Sequence, residues 1–115
     1  MGYKKSTADD VDSLIPEEFG GMWMFRNSLE TEALGLSVME LEPGGKNKVH
    51  DHAGDGQEEV YCVVDGEVTV TVDNERVFLG ENEALRVDPG DTRQVENTGE
   101  ERARLVIAGA GRPPQ

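Results

Sequence analysis

Short apolar runs and polar breaks alternate along the chain from residue 22 onward. Runs of Val, Leu and aromatic residues recur roughly every eight to twelve residues, with Gly, Asn, Asp and Pro between them. No stretch shows a sustained helical period, so the pattern is typical of an all-β sandwich or barrel. It predicts strands at residues 22–26, 34–41, 47–52, 59–64, 67–72, 75–79, 84–87, 93–97 and 103–108.

Both ends of the chain are polar and contribute little to this pattern. We expect an N-terminal extension at residues 1–21, one barrel domain at 22–109 and a flexible tail at 110–115. Within the extension, a helical turn in Ala8–Leu14 is expected to be capped by the Thr7 hydroxyl.

The Asp65-Gly66 dipeptide predicts how one pair of strands faces the core. It favours a two-residue hairpin turn, which would pair Val63 with Val68 and Glu59 with Val72. Side chains alternate across a strand, so one face is more apolar than the other and should point inward. That face carries Glu59, Tyr61, Val63, Val68, Val70 and Val72.

An inward glutamate is a candidate ligand, because a carboxylate in an apolar interior is costly unless it is paired or binds a cation. The alternative is that Glu59 ends its strand and bends out to solvent. The only histidines, His50 and His52, lie two residues apart, so on an extended segment they share a face. Two imidazoles and a carboxylate commonly bind Zn, Fe, Mn, Ni or Cu. We therefore predict a divalent transition-metal site at His50, His52 and Glu59.

Charge and composition narrow the classes of partner. The chain has 24 acidic and 11 basic residues, for a net charge of -13, which disfavours nucleic acid and anionic membranes. The acids are spread along the chain, as in a very soluble protein or one adapted to high salt. No apolar run approaches the ~20 residues of a membrane span, and no secretory leader is apparent, so a cytoplasmic protein is expected. Cys62 is the only cysteine, which excludes an internal disulfide.

The histidine segment resembles the first motif of the cupin family. That motif reads glycine, five residues, HxH, a short gap, glutamate, six residues and glycine. Gly44, His50, His52, Glu59 and Gly66 match it. The departure is the gap before Glu59, which is six residues long where the family usually has three or four.

Residues Asn82 to Asn97 are similar to the second cupin motif, though less closely. Gly90 and Asn97 fit, whereas Asp88 stands at the proline position and Arg93 at the histidine position. The resemblance implies a double-stranded β-helix, a jelly-roll barrel of two antiparallel sheets, with a metal or ligand inside its mouth. It also implies a homodimer and, in an enzyme, dioxygenase or isomerase chemistry on a small organic molecule.

Arg93 leaves the chemistry open, because the family's fourth ligand is a histidine and a guanidinium offers only donors. A metal could be held by His50, His52 and Glu59 alone, with Arg93 turned away or binding an anionic substrate. Alternatively, the barrel binds an anionic small molecule without metal, or Arg93 forms a surface ion pair with Asp91 or Glu96.

Further site residues are expected around this centre. Tyr61 and Gln57 join Arg93 as candidate substrate-binding residues, and the longer loop could carry Gln57 or Asp55 to the metal as a replacement oxygen ligand. Trp23, Met24 and Phe25 are expected to pack in the core or cover a dimer interface, or to form a substrate wall.

Overall fold

The structure is a computed structural model that describes residues 2–111, and two antiparallel sheets form its framework. The strands are β1 (Gly20–Met24), β2 (Leu34–Leu41), β3 (Gln57–Asp65), β4 (Val68–Val72), β5 (Glu75–Leu79), β6 (Ala84–Val87), β7 (Arg93–Glu96) and β8 (Ala103–Gly111). One sheet has the order β1-β2-β8-β3-β6 and the other β5-β4-β7. This arrangement confirms the predicted double-stranded β-helix.

The core lies between the two sheets and follows the period-2 alternation of the strands. In β3, Tyr61 and Val63 are at most 1% exposed, whereas Val60 and Val64 on the opposite face are 39% and 44% exposed. The other fully buried apolar side chains come from both sheets: Met39, Leu41, Val68, Val70, Val95, Ala103 and Leu105.

The predicted β3–β4 hairpin is wrong, although the inward face derived from it is right. β3 pairs with β6 and β8, whereas β4 pairs with β5 and β7, so Val63 does not face Val68 in a ladder. Asp65 and Gly66 instead carry the chain from one sheet to the other, with Gly66 at a φ of 80°. A local turn signal cannot tell a hairpin from such a crossing, because the strand partners are far away in sequence.

Residues 47–52 do not form the predicted continuous strand. Only isolated bridges join this segment to β7, at Lys46 with Glu96 and His50 with Arg93. Between them the Asn47 side chain takes the place of a backbone partner, since its Oδ1 accepts from the Val95 amide at 2.8 Å.

Two short helical pieces lie before β2, one on each side of β1. Ala8–Asp10 forms a single 3₁₀ turn, and the Thr7 hydroxyl caps it as predicted, accepting from the Asp9 amide at 2.9 Å. A short helix, α1 (Arg26–Leu29), was not predicted, because four residues are too few to show a period. No helix among the described residues is long and apolar enough to cross a membrane.

The predicted domain limits fall within strands. The division after residue 21 lies inside β1, which starts two residues before the predicted strand, and the division after residue 109 lies inside β8. Ile15 of the predicted extension is only 8% exposed and belongs to the core cluster. The rest of the predicted flexible tail, residues 112–115, lies outside the described residues.

Candidate metal centre

Backbone hydrogen bonds hold the two histidines against the end of β7 and the turn before it. The amides and carbonyls of His50 and Arg93 bond to each other, at 3.0 and 2.8 Å, and the His52 amide donates to the Pro89 carbonyl at 2.8 Å. Glu59 approaches from the other sheet as the third residue of β3. The two sheets therefore each contribute to one centre.

The three predicted ligands meet in space. Glu59 Oε1 lies 3.2 Å from His52 Nε2 and 3.9 Å from His50 Nε2. One ligand atom from each of the three residues lies within 4.8 Å of the other two. The side chains of His50, His52 and Glu59 are 35%, 20% and 13% exposed, so the centre lies near the barrel mouth and is reached by solvent.

Hydrogen bonds behind the imidazoles define which nitrogen faces the centre. His50 Nδ1 lies 3.0 Å from the Lys48 carbonyl, and His52 Nδ1 lies 3.1 Å from the Asp55 carboxylate. A carbonyl and a carboxylate only accept, so each Nδ1 donates and each neutral ring presents a lone pair on Nε2. Two Nε2 lone pairs and a carboxylate then converge, and a divalent cation between them would be attracted to all three. The donor set therefore fits a divalent metal ion.

Asp55 is a partner of a ligand rather than a ligand. Its hydrogen bond to His52 lowers the pKa of the Asp55 carboxyl below the usual 3.8, against a smaller opposing effect of burial. Its Oδ1 also accepts from the Gln57 amide at 3.1 Å, which ties the loop to the start of β3. Such carboxylate–histidine pairs orient metal ligands in many metal sites.

Tyr61 contacts the centre through Glu59. Its hydroxyl donates to Glu59 Oε1 at 2.7 Å. Burial first, and then the Glu59 carboxylate, raise the pKa of the Tyr61 phenol far above its usual 10.0. The phenol therefore stays neutral and acts as a fixed hydrogen-bond donor to Glu59.

Arg93 is fully buried and is not the surface ion-pair residue that one alternative expected. Its Nη2 donates to the Asp88 carbonyl at 2.9 Å, and its Nε lies 4.0 Å from Glu59 Oε1, within ion-pair range but too far for a hydrogen bond. Nε and Nη1 have no hydrogen-bond partner among the described residues. The positive charge of Arg93 thus balances Glu59 from a position where a fourth ligand would stand.

Residues 37–109 match the model of the cupin domain family. The chain is a member of the cupin family. The match includes all three candidate ligands and Arg93. It spans every strand except β1, the start of β2 and the end of β8, so the barrel and the centre belong to the same family unit.

This cupin is similar to known proteins that carry different names. A β-D-galactosidase of Mycobacterium tuberculosis is 31% identical over 82 residues, covering 71% of this chain and 68% of the relative. The crystal structure of TT1209 from Thermus thermophilus is 27% identical with a TM-score of 0.73, covering 95% of this chain and 98% of that one. A cupin protein from Bacteroides fragilis superposes with a TM-score of 0.78 at 20% identity, covering 100% of this chain and 89% of that one.

Two cavities open onto the centre of this cupin. The smaller, of about 280 Å³, lies on the side of His52 and Glu59. Its other lining residues are Met24, Arg26, Gly35, Leu36, Ser37, Asp55, Gln57, Ile107 and Gly109. The larger, of about 520 Å³, lies on the side of His50 and is walled by Leu14, Ile15, Pro16, Phe19 and Met22. Gln57 and Met24 are thus at the smaller cavity, whereas Arg93 lines neither.

Sequence reasoning missed several residues at the smaller cavity. Arg26 lies in the unpredicted helix α1, so nothing in the sequence pattern connected it with the histidines. Gly35 and Gly109 interrupt two strand patterns, and an isolated glycine in a strand often marks a close approach. That signal was available and would have pointed to this part of the barrel.

Proposed function

We propose that this cupin binds one divalent transition-metal ion through Nε2 of His50, Nε2 of His52 and the carboxylate of Glu59, and uses it on a small organic molecule. The observation that carries the proposal is the set of Nδ1 hydrogen bonds, which aim two lone pairs at a carboxylate. When bound, such a metal supplies Lewis-acid chemistry with positions left open for substrate.

The residues around the ligands would support this chemistry in distinct ways. Tyr61 holds one Glu59 oxygen in place, and Asp55 holds the ring of His52. The smaller cavity, at about 280 Å³, is below the usual range of drug-sized pockets, which begins at about 300 Å³, so it suits a compact substrate. A dioxygenase or an isomerase reaction on such a molecule is the activity we expect.

Metal analysis of the purified protein tests this proposal. We expect close to one equivalent of a transition metal, as isolated or after reconstitution, and loss of most of it in His50→Ala, His52→Ala and Glu59→Ala. Glu58→Ala is the matched control for Glu59→Ala, because Glu58 is the adjacent carboxylate on the other face of β3. No stoichiometric metal in either preparation of the wild type would sink the proposal.

The relative that is named a β-D-galactosidase suggests a specific activity to assay. At 31% identity, hydrolysis of a β-D-galactoside is a candidate reaction for this cupin as well. Release of nitrophenol from nitrophenyl β-D-galactoside, compared between wild type and Glu59→Gln, measures it. Equal background rates in both proteins would exclude this reaction.

A metal-free binding module is the second candidate, favoured by the two unpaired buried donors of Arg93. A carboxylate could accept a charge-assisted hydrogen bond from one of them. This alternative predicts that acetate or malonate raises the melting temperature of the metal-free protein and that Arg93→Met abolishes the rise. An equal rise in both proteins, or none, counts against it.

A further inference from the structure

A strip of the inner barrel wall next to Glu59 has no side chains of its own. Gly35 of β2 pairs with Gly109 of β8, and Gly109 pairs with Glu59 of β3, so the three positions form one row across the sheet. All three line the smaller cavity. Elsewhere the inward rows of this sheet carry side chains such as Met39 and Leu105, so the paired glycines open a trough at the mouth.

Two polar side chains lie across this trough from opposite ends. A Cβ atom at Gly35 would come within 2.8 Å of Arg26 Nη2, and one at Gly109 within 3.0 Å of Gln57 Oε1 and 3.3 Å of Glu59 Cγ. Gly35 on β2 and Glu59 on β3 are separated by β8, so their backbone positions lie two strand spacings, roughly 10 Å, apart. A metal–oxygen bond of about 2 Å at one end and a hydrogen bond of about 3 Å to Arg26 at the other leave roughly 5 Å between the polar ends of a bridging molecule.

Arg26 and Ser37 contribute free hydrogen-bond donors to the trough. The Arg26 side chain forms only one hydrogen bond within residues 2–111, from Nη1 to the Glu32 carbonyl at 3.2 Å, so its Nε and Nη2 are available. The Ser37 side chain is 7% exposed, lines the cavity, and its hydroxyl has no partner among the described residues. A guanidinium and a hydroxyl without acceptors favour a ligand that supplies acceptors.

The charge of the centre favours the same kind of ligand. Glu59 and Arg93 neutralise each other and the Asp55 carboxylate behind His52 adds one negative charge, so a divalent ion would leave the centre with one net positive charge. Arg26 adds a second positive charge at the other end of the trough, in a protein whose net charge is -13. The charge around the trough is therefore positive although the protein as a whole is negative, and this favours a dianion as ligand.

We propose that the substrate of this cupin is a short dicarboxylic acid, with one carboxylate on the metal and the other bound by Arg26. This inference rests on the proposed metal site and adds the substrate class. Arg26 is then a specificity residue, since it distinguishes a diacid from the monoacid of the same length. Ser37 offers the hydroxyl donor between the two ends.

Calorimetric titration of the Zn²⁺-loaded protein with succinate and with butyrate tests the inference. We expect succinate to bind at least about 10-fold more tightly, because a charge-assisted Arg–carboxylate pair is gained. Arg26→Gln should weaken succinate binding by about 10- to 100-fold and leave butyrate binding unchanged. Arg76→Gln, the same charge change at an exposed site on β5, should change neither.

Two further variants test the same inference if Arg26→Gln does not fold. Arg26→Lys keeps the charge and should retain part of the preference for succinate. Gly35→Ala places a methyl group against the guanidinium and should weaken succinate selectively. Zn²⁺ binding without a preference for succinate, or with a preference that survives Arg26→Gln, overturns the inference alone. Absence of stoichiometric Zn²⁺ overturns the proposed function and the inference together.

Discussion

At the scale of single residues, the centre consists of three acceptor groups. The Nδ1 donors of both imidazoles point away from it, and Glu59 accepts from a neighbouring side chain. Both Nδ1 atoms are occupied by Lys48 and Asp55, and Glu59 receives its hydrogen bond from Tyr61. Arg93 is the exception, a buried cation 4.0 Å from Glu59. Its charge lowers the attraction of the centre for a metal, so the affinity depends strongly on how well the ligands are oriented.

Removal of Asp55 should therefore weaken metal binding without removing a ligand. We expect Asp55→Ala to lower metal affinity by about 10- to 100-fold, because His52 loses the acceptor that fixes its ring. Competition with a chromogenic chelator measures this affinity. Asp51→Ala is the control, since Asp51 carries the same charge in the same loop but caps the Ala53 amide instead. Equal losses in both variants would mean that only net charge matters.

The Tyr61 phenol predicts a pH dependence of stability in the metal-free protein. Its pKa is raised above 10.0 in the folded state, so the neutral form stabilises the fold below about pH 10 and this contribution decreases as the pH rises further. Wild type should lose stability to urea between pH 9 and about pH 11 more steeply than Tyr61→Phe. Parallel losses in both proteins would show that the phenol does not govern the alkaline limit.

At the scale of elements, the site depends on strands that the sequence predicts well and on connections that it predicts poorly. Alternation along β3 placed Glu59 and Tyr61 inward, and this holds although the strand has other partners than expected. The HxH pair meets Glu59, although its segment joins β7 through isolated bridges and not as a continuous strand. Short-range periodicity reports the face of a strand, but its partner depends on contacts distant in sequence.

The contributions of loops were the least predictable part of the site. Asp55 lies in the gap that departs from the cupin motif, and its position behind His52 depends on the turn that the chain makes there. Arg26 reaches the cavity from α1, which follows β1 and contacts β2. Neither position has a periodicity that would reveal its neighbours.

The Asn97 side chain connects three parts of the chain, so we expect its removal to cause a large loss of stability. Its side chain is 1% exposed, donates to the Leu41 and Glu101 carbonyls at 2.9 and 2.7 Å, and accepts from the Gly99 amide at 2.9 Å. Asn97→Ala should lower the free energy of unfolding by about 2–4 kcal/mol, because these groups lose their partner. Urea unfolding measures the change, and the exposed turn variant Asn74→Ala should lose less than about 0.5 kcal/mol. A loss as small for Asn97 would contradict this role.

At the scale of the whole molecule, the acidic surface is interrupted by an apolar outer face on the larger sheet. Rows of paired residues cross β2, β8 and β3 there, Leu36 with Ala108 and Val60, and Val38 with Val106 and Cys62. Val60 is 39% exposed at the middle of this outer face. A second copy of the chain would cover it, as the homodimer expected from the sequence requires.

Light scattering after size exclusion should therefore give twice the mass of the chain. Val60→Lys should yield the monomer, because a charge would be buried in the apolar contact. Phe78→Lys is the control, since Phe78 is 58% exposed on β5 in the other sheet and should leave the dimer intact. A monomeric wild type, or dissociation by Phe78→Lys instead, would rule out this interface.

The central claim is that His50, His52 and Glu59 hold one metal ion beside the Arg93 guanidinium. A crystal structure with anomalous scattering data collected across the absorption edge of the bound metal tests it most directly. We predict a single strong peak about 2.0–2.2 Å from Nε2 of both histidines and from a Glu59 oxygen, with Arg93 still bonded to the Asp88 carbonyl. A metal-soaked crystal with no peak there, or with the Arg93 guanidinium moved onto Glu59, would contradict the account.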